Sequence, residues 1–154
     1  MSERSVSHHT VVVRRSYDAP VDRVFHAWQD SAALQVWYVP GDDGWTSKVL
    51  EHDFRVGGVK RLQFGPPGEN FFEDCRYEDI VRDVRLCYVM TIARGDVRIT
   101  TSMVTVEFFA RGGRTELIVT DQLVVLAAGD TAEDRERGWG ETLDKLTPYL
   151  RTRH

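Results

Sequence analysis

The sequence lacks the features of secreted, membrane-spanning and nucleic-acid-binding proteins. It has two cysteines, Cys75 and Cys87, and no apolar run near the roughly 20 residues that a membrane helix needs. Residues 1–10 contain no apolar signal-peptide segment, so we expect a cytoplasmic protein with reduced cysteines. Twenty basic and 24 acidic residues give a net charge of −4, without a basic stripe. We therefore expect neither a nucleic-acid nor a membrane partner.

Sequence signals for metal and nucleotide sites are also missing. The five histidines are scattered along the chain without the spacing of metal ligands. No glycine-rich phosphate loop and no Gly-x-Ser-x-Gly nucleophile motif occurs. We therefore expect no bound metal and no cofactor.

A long helical pattern is present near the C-terminal end, over residues 131–147. Trp139, Leu143 and Leu146 recur at spacings of four and three, which places them on one face of a helix. Pro148 has no amide hydrogen to donate, so we expect the helix to kink or end there.

Seven segments of β-strand composition precede this helix, and glycine, proline and aspartate mark the turns between them. The predicted strands cover residues 10–18, 45–53, 58–64, 70–80, 85–93, 97–110 and 115–124. Two short helices follow the first strand, one after Pro20 and one over residues 31–37. Short separators predict antiparallel hairpins, and one amphipathic helix beside so many strands implies a curved sheet around it. We predict a flexible segment over residues 1–9 and a single α+β domain over residues 10–154.

The registers of the predicted hairpins indicate which side chains face inward, because residues directly opposite on antiparallel strands share a face. A two-residue turn at Gly112-Gly113 places Phe108 opposite Leu117, for example. Three hairpins agree on an inner face formed by Glu73, Cys75, Tyr77, Tyr88, Met90, Ser102, Val104, Val106, Phe108, Leu117 and Val119. Polarity assigns Leu62 and Phe64 inward as well, and Asp121 falls on this face near a strand end, where we expect it to reach solvent.

Glu73 is the most informative of these residues. A buried carboxylate needs a partner or a raised pKa, and the predicted register places Arg98 diagonally across from it. We favour a structural ion pair, and the weaker alternative is that Glu73 is a catalytic acid. Tyr77, Tyr88 and Ser102 would add hydroxyl groups to an otherwise apolar pocket.

Five sequence motifs, in order, resemble those of the family related to the activator of Hsp90 ATPase. Residues 17–28 (YDAPVDRVFHAW) resemble its F-x-A-P…V-W-x-A opening, and residues 34–38 (LQVWY) resemble its L-x-x-W segment. Residues 53–58 (DFRVGG) are similar to its D-x-R-x-G-G turn, and residues 114–117 (RTEL) to its G-T-x-L strand start. The pair Gly138-Trp139 with the leucines beyond it is similar to its terminal G-W…L…L helix.

This resemblance implies a START-like (Bet v 1-like, SRPBCC) helix-grip fold, with a hydrophobic cavity between the sheet and the long helix. Proteins of this superfamily bind small apolar or aromatic molecules there. We expect the ligand-contacting residues to be Trp37, Leu62, Phe64, Glu73, Tyr77, Tyr88, Met90, Ser102, Trp139 and Leu143.

Two other functions stay open at this point. One is a protein-interaction domain like the Hsp90 co-chaperone, which we do not favour. The other is a cyclase- or hydrolase-type enzyme that uses the same cavity. A weak homodimer is also left open. The motifs favour a binding protein over an enzyme, and they do not identify the ligand.

Overall fold

The computed structural model describes residues 5–38 and 44–152, which form seven strands and three helices. The elements are β1 (Ser7–Tyr17), α1 (Val21–Gln29), α2 (Ser31–Trp37), β2 (Thr46–His52), β3 (Val59–Gly65), β4 (Phe71–Val81), β5 (Arg85–Arg94), β6 (Val97–Arg111), β7 (Arg114–Val125) and α3 (Ala132–Thr152). Residues 1–4 of the segment predicted to be flexible, residues 1–9, lie outside the described residues. No helix in the described ranges is long and apolar enough to cross a membrane.

The seven strands form one curved antiparallel sheet in the order β1-β7-β6-β5-β4-β3-β2. Strands β2 to β7 are neighbours in sequence order, whereas β1 pairs with β7, from Ser7 opposite Val125 to Tyr17 opposite Thr115. The first strand begins three residues before its predicted start. The sheet wraps α3, which confirms the predicted helix-grip fold.

Most of the predicted strand registers are confirmed. Phe108 lies opposite Leu117 on the β6–β7 hairpin, and Tyr77 lies opposite Tyr88 on the β4–β5 hairpin. All residues of the predicted inner face are buried. Most of its apolar residues pack with the apolar faces of the helices in one continuous core. The period-2 pattern of the strands was therefore sufficient to distinguish the inner face from the outer one.

The β5–β6 hairpin does not have the predicted register, because its pairing is irregular near the turn. Ile92 lies opposite Thr100 and Ala93 opposite Arg98, so β6 has one extra residue, Ile99, between these pairs. A bulge of this kind reverses the face of the residues beyond it. Arg98 is therefore exposed, and the prediction that it pairs with Glu73 is wrong.

The helix α3 does not end at Pro148, which was one of the two outcomes expected from the sequence. It continues to Thr152 with the proline inside it. Two contacts beyond the proline stabilise this last turn. Leu150 is buried in the core, and the guanidinium of Arg23 donates a hydrogen bond to the Leu150 carbonyl.

Candidate functional site

A pocket of about 280 Å³ lies between the N-terminal half of α3 and strands β3 to β6. Its apolar wall consists of Trp45, Phe64, Phe71, Met90, Ile92, Ile99 and Trp139. Its polar groups are Tyr38, Glu73, Asp130, Asp134, Arg135, Arg137, Glu141 and Thr142, and Gly129 and Gly138 complete the lining. The pocket thus combines an apolar, largely aromatic wall with polar and charged groups that could orient a ligand, as small-molecule sites do.

Three aromatic rings form a stacked group on the side of the pocket near β3 and β4. The ring centroids of Trp45 and Phe71 are 5.9 Å apart with an interplanar angle of 16°. The rings of Phe64 and Phe71 are stacked at 5.5 Å. These separations are typical of favourable aromatic pairs, so the three rings form a compact apolar group in the pocket wall.

Trp139 forms the α3 side of the pocket and is held on two sides. Its indole Nε1 donates a hydrogen bond of 2.9 Å to Oδ2 of Asp121, and its ring stacks on Trp28 at 6.4 Å. A buried indole N–H needs such an acceptor. The orientation of Trp139 is therefore fixed before any ligand binds.

Arg135 links α3 to the sheet at the edge of the pocket. Its guanidinium donates to Asp121 Oδ2 at 2.7 Å and to Thr100 Oγ1 at 2.6 Å, and it also donates to Asp130 Oδ2 at 2.8 and 3.0 Å. Asp121 is fully buried, so the expectation that it reaches solvent is wrong. Its charge is tolerated there because Arg135 and Trp139 both donate to it.

A buried ion pair joins Lys60 of β3 and Glu73 of β4. The Lys60 Nζ lies 3.3 Å from Oε2 of Glu73, and both side chains are almost fully buried. The Tyr38 hydroxyl donates to the two carboxylate oxygens at 3.0 and 3.1 Å, and the Cys75 thiol donates at 3.4 Å. Glu73 thus has the structural ion pair that the sequence indicated, with a different partner.

The electrostatics of this cluster keep the charge on Lys60. Burial alone would lower the pKa of Lys60, but the groups around it, the Glu73 carboxylate among them, hold that pKa well above its usual value. Burial also raises the pKa values of Tyr38 and Cys75, so both are neutral at pH 7. The Glu73 carboxylate is therefore the counter-charge that stabilises Lys60 at neutral pH.

His52 and Tyr77 form a hydrogen-bonded pair on the β2 side of this cluster. The His52 Nε2 is 2.9 Å from the Tyr77 hydroxyl, and its Nδ1 is 2.9 Å from Oγ of Ser31. Burial, with a contribution from the charge of Lys60, lowers the pKa of His52 to about 4. His52 is accordingly neutral at pH 7.

The structure brings four of the ten predicted ligand contacts to the pocket wall: Phe64, Glu73, Met90 and Trp139. The other six are buried in the core and do not line the pocket. They are Trp37, Leu62, Tyr77, Tyr88, Ser102 and Leu143. Register assigns a side chain to a face of the sheet, whereas the helices decide which part of that face stays open.

Sequence reasoning missed two charged residues of the site for which a signal existed. Lys60 lies two residues before Leu62 on the same strand, so the assignment of Leu62 inward places Lys60 inward too. Arg135 lies four residues before Trp139, on the buried face of α3. Both were passed over because charged residues are rarely fully buried. Tyr38, Trp45 and Phe71 lie at element ends, where periodicity gives no direction.

Groups that could ligate a metal do not cluster in the described part of the chain. No three side chains of histidine, cysteine, aspartate or glutamate converge there as metal ligands would.

Comparison with protein families gives a match over most of the chain. Residues 18–151 match the family described as activator of Hsp90 ATPase homolog 1-like protein. No curated protein matches the sequence.

Solved structures with the same fold cover almost the whole chain. Protein Mll3558 from Rhizobium loti is 34% identical, with a TM-score of 0.83, over 94% of this chain and 99% of that one. An uncharacterized protein from Rhizobium leguminosarum is 33% identical, with a TM-score of 0.87, over 97% of this chain and 98% of that one. Protein CV1439 from Chromobacterium violaceum is 26% identical, with a TM-score of 0.80, over 94% of this chain and 98% of that one.

Proposed function

Because the chain belongs to the family of activator of Hsp90 ATPase homolog 1-like proteins, we propose that it binds a small aromatic molecule in the pocket between the sheet and α3. The observation that carries the proposal is the aromatic wall. Trp45, Phe64, Phe71 and Trp139 surround a space of about 280 Å³. Small-molecule sites typically enclose roughly 300–1,000 Å³, so the pocket suits a ligand of one or two fused rings.

Aromatic surfaces favour a flat ligand over an equally large aliphatic one. A ring placed beside Phe71 or Trp139 can adopt the offset-stacked or edge-to-face arrangements that those side chains already form with their neighbours. Each such contact adds roughly 0.5–1.5 kcal/mol beyond the area that it buries. The wall therefore selects by ring shape as well as by apolar area.

The geometry favours binding over acid catalysis by Glu73. The two oxygens of this carboxylate accept hydrogen bonds from Tyr38 and Cys75, and one of them pairs with Lys60. A general acid needs a proton to donate and a reacting group within hydrogen-bond reach. A carboxylate committed to three donors is better suited to fixing the base of a binding pocket.

Gly138 offers a direct test, because it lies on the pocket wall and a Cβ there would meet no heavy atom within 4 Å apart from its chain neighbours and the backbone of its own helix. Replacing a helical glycine also improves helix propensity by up to about 1 kcal/mol. We expect Gly138→Leu to retain the fold and to weaken binding of 2-naphthol, a neutral fluorophore of two fused aromatic rings. A loss of at least about tenfold would correspond to ~1.4 kcal/mol, and Gly138→Ala should lose less.

The control is Glu136→Leu, which places the same side chain on the exposed part of α3 outside this pocket. Fluorescence titration measures the affinity, and circular dichroism with thermal melting checks the fold. The proposal fails if the unsubstituted protein does not bind the fluorophore. It also fails if Gly138→Leu melts normally and binds with unchanged affinity.

A further inference from the structure

The charged side chains around the pocket are more often acidic than basic. We infer that the pocket prefers a positively charged aromatic molecule, an organic ammonium, over neutral and anionic molecules of the same shape. This inference rests on the proposed ligand-binding function and adds the charge class of the ligand.

Carboxylates outnumber cationic side chains at the pocket. The count includes the charged residues of the wall and the two buried residues that pair with them from behind. The acidic groups are Glu73, Asp121, Asp130, Asp134 and Glu141, and the basic groups are Lys60, Arg135 and Arg137. Among the described residues, five carboxylates against three cations leave a net charge of −2 around the bound molecule.

The three cations are already committed to carboxylates of the protein. Arg135 donates to Asp121 and Asp130, and Arg137 donates to Asp134 at 2.8 Å. Lys60 is buried behind Glu73. An anionic ligand could engage one of these groups only by breaking an ion pair, and the abandoned carboxylate would then lie close to the ligand.

Glu141 is the uncommitted charge at the pocket. It lines the wall from α3 and is partly exposed. No hydrogen bond or ion pair engages its side chain in the described part of the chain, in contrast to Asp134, which pairs with Arg137 one turn earlier. A ligand ammonium beside Glu141 would therefore gain a counter-ion without breaking a pair.

The aromatic wall adds to the preference for a cation. Ring faces carry partial negative charge and attract an ammonium group within about 6 Å of the centroid. The protein already uses this interaction beside the pocket, where the Lys60 Nζ lies 4.3 Å from the centroid of Tyr38 and 4.7 Å from that of Tyr88. A protonated amine on an aromatic ligand would find the same environment in the pocket, together with the charge of Glu141.

The test compares three probes that share one ring system and differ in charge. These are 2-naphthylmethylamine, which is protonated at pH 7, the neutral 2-naphthylmethanol, and the anionic 2-naphthoate. Isothermal titration calorimetry with the whole chain should give the tightest binding for the amine and the weakest for the carboxylate. Raising the salt concentration should weaken binding of the amine and leave the alcohol nearly unchanged, because partly exposed charges are screened.

Three substitutions on α3 locate the effect. Glu141→Gln should weaken binding of the amine by about two- to fivefold, the range for an exposed ion pair, without changing binding of the alcohol. Arg137→Gln should strengthen binding of the amine. The matched control is Glu133→Gln, since Glu133 lies one turn before Arg137 and outside the pocket wall; it should have a smaller effect on either probe.

The outcomes separate this inference from its premise. If the alcohol or the carboxylate binds as tightly as the amine, the charge preference is wrong and the aromatic site stands. If Glu141→Gln and Glu133→Gln weaken the amine equally, the preference is a property of the net charge of the protein and the assignment to this pocket is wrong. If none of the three probes binds, both the inference and the proposed function are wrong.

Discussion

At the scale of single residues, the buried pair of Lys60 and Glu73 should be important for stability. We expect Lys60→Met to destabilise the fold by about 3–5 kcal/mol, because it leaves a carboxylate buried without its counter-charge. The apolar replacement fills a similar volume, so the loss is electrostatic rather than a cavity effect. Urea unfolding followed by circular dichroism measures the change in the free energy of unfolding.

The double variant Lys60→Met/Glu73→Gln is the control for this prediction. It removes both charges and keeps an amide oxygen that can accept from the Tyr38 hydroxyl, so it should be more stable than Lys60→Met alone. Additive losses in the two single variants would show that the residues do not interact. That result would contradict the ion pair described here.

The lowered pKa of His52 predicts how the stability of the fold changes with pH. Its pKa falls from 6.5 to about 4 in the folded protein. Between these values the unfolded chain binds a proton at this position and the folded chain does not, so the contribution of His52 to stability is complete above pH 6.5 and is lost as pH falls towards 4. We expect the difference in melting temperature between pH 7 and pH 5 to become smaller in His52→Gln. An unchanged difference would contradict the assignment.

At the scale of elements, the turn between β2 and β3 depends on two glycines for different reasons. Gly57 has φ of +84°, in the left-handed region, and an L-residue there costs roughly 1–2 kcal/mol. Gly58 has no such φ, but a Cβ on it would lie 2.1 Å from the Asp53 carbonyl oxygen. The atom in contact belongs to the backbone, so the contact cannot be relieved by moving a side chain.

We therefore expect Gly58→Ala to be more damaging than Gly57→Ala. The loss at Gly58 should reach about 3 kcal/mol, the upper end of typical overpacking penalties, because relief requires the turn itself to shift. Gly57→Asn should cost less than Gly57→Ala, since asparagine tolerates the left-handed conformation better. Urea unfolding of the three variants tests this order, and equal stability of Gly58→Ala and wild type would refute the close approach.

The last turn of α3, beyond Pro148, was not predicted from the sequence. The rule that proline ends a helix considers only the lost hydrogen bond and the local clash. In α3 the turn beyond Pro148 buries Leu150 and receives a hydrogen bond from Arg23. Both contacts come from residues distant in sequence, so local reasoning could not weigh them. Tertiary packing often overrides a local preference in this way.

At the scale of the whole molecule, the fold was predictable because its signals are periodic. Strand alternation, glycine turns and one amphipathic helix are all visible in the sequence, and they agree with one another. The registers at Gly112-Gly113 followed from the same signals. A single extra residue, Ile99, was sufficient to turn Arg98 outward, because composition does not reveal a bulge.

The position of the pocket was less predictable than the fold. Tyr88 and Met90 lie on the same face of β5, yet Met90 lines the pocket and Tyr88 does not. Tyr88 is covered by the ring of Tyr77 and by Lys60. Which part of an inner face stays open depends on how side chains from several elements fill the space above it, and this information is spread over the whole sequence.

The pairing of β1 with β7 has a consequence for synthesis on the ribosome. Tyr17 emerges early, but its partner Thr115 follows about a hundred residues later, which at 5–20 residues per second is roughly 5–20 s. During that interval the apolar face of β1, with Val11 and Val13, has no strand beside it. The nascent chain therefore exposes an aggregation-prone apolar segment until β7 leaves the exit tunnel. Ribosome-associated chaperones would protect the chain most during this interval.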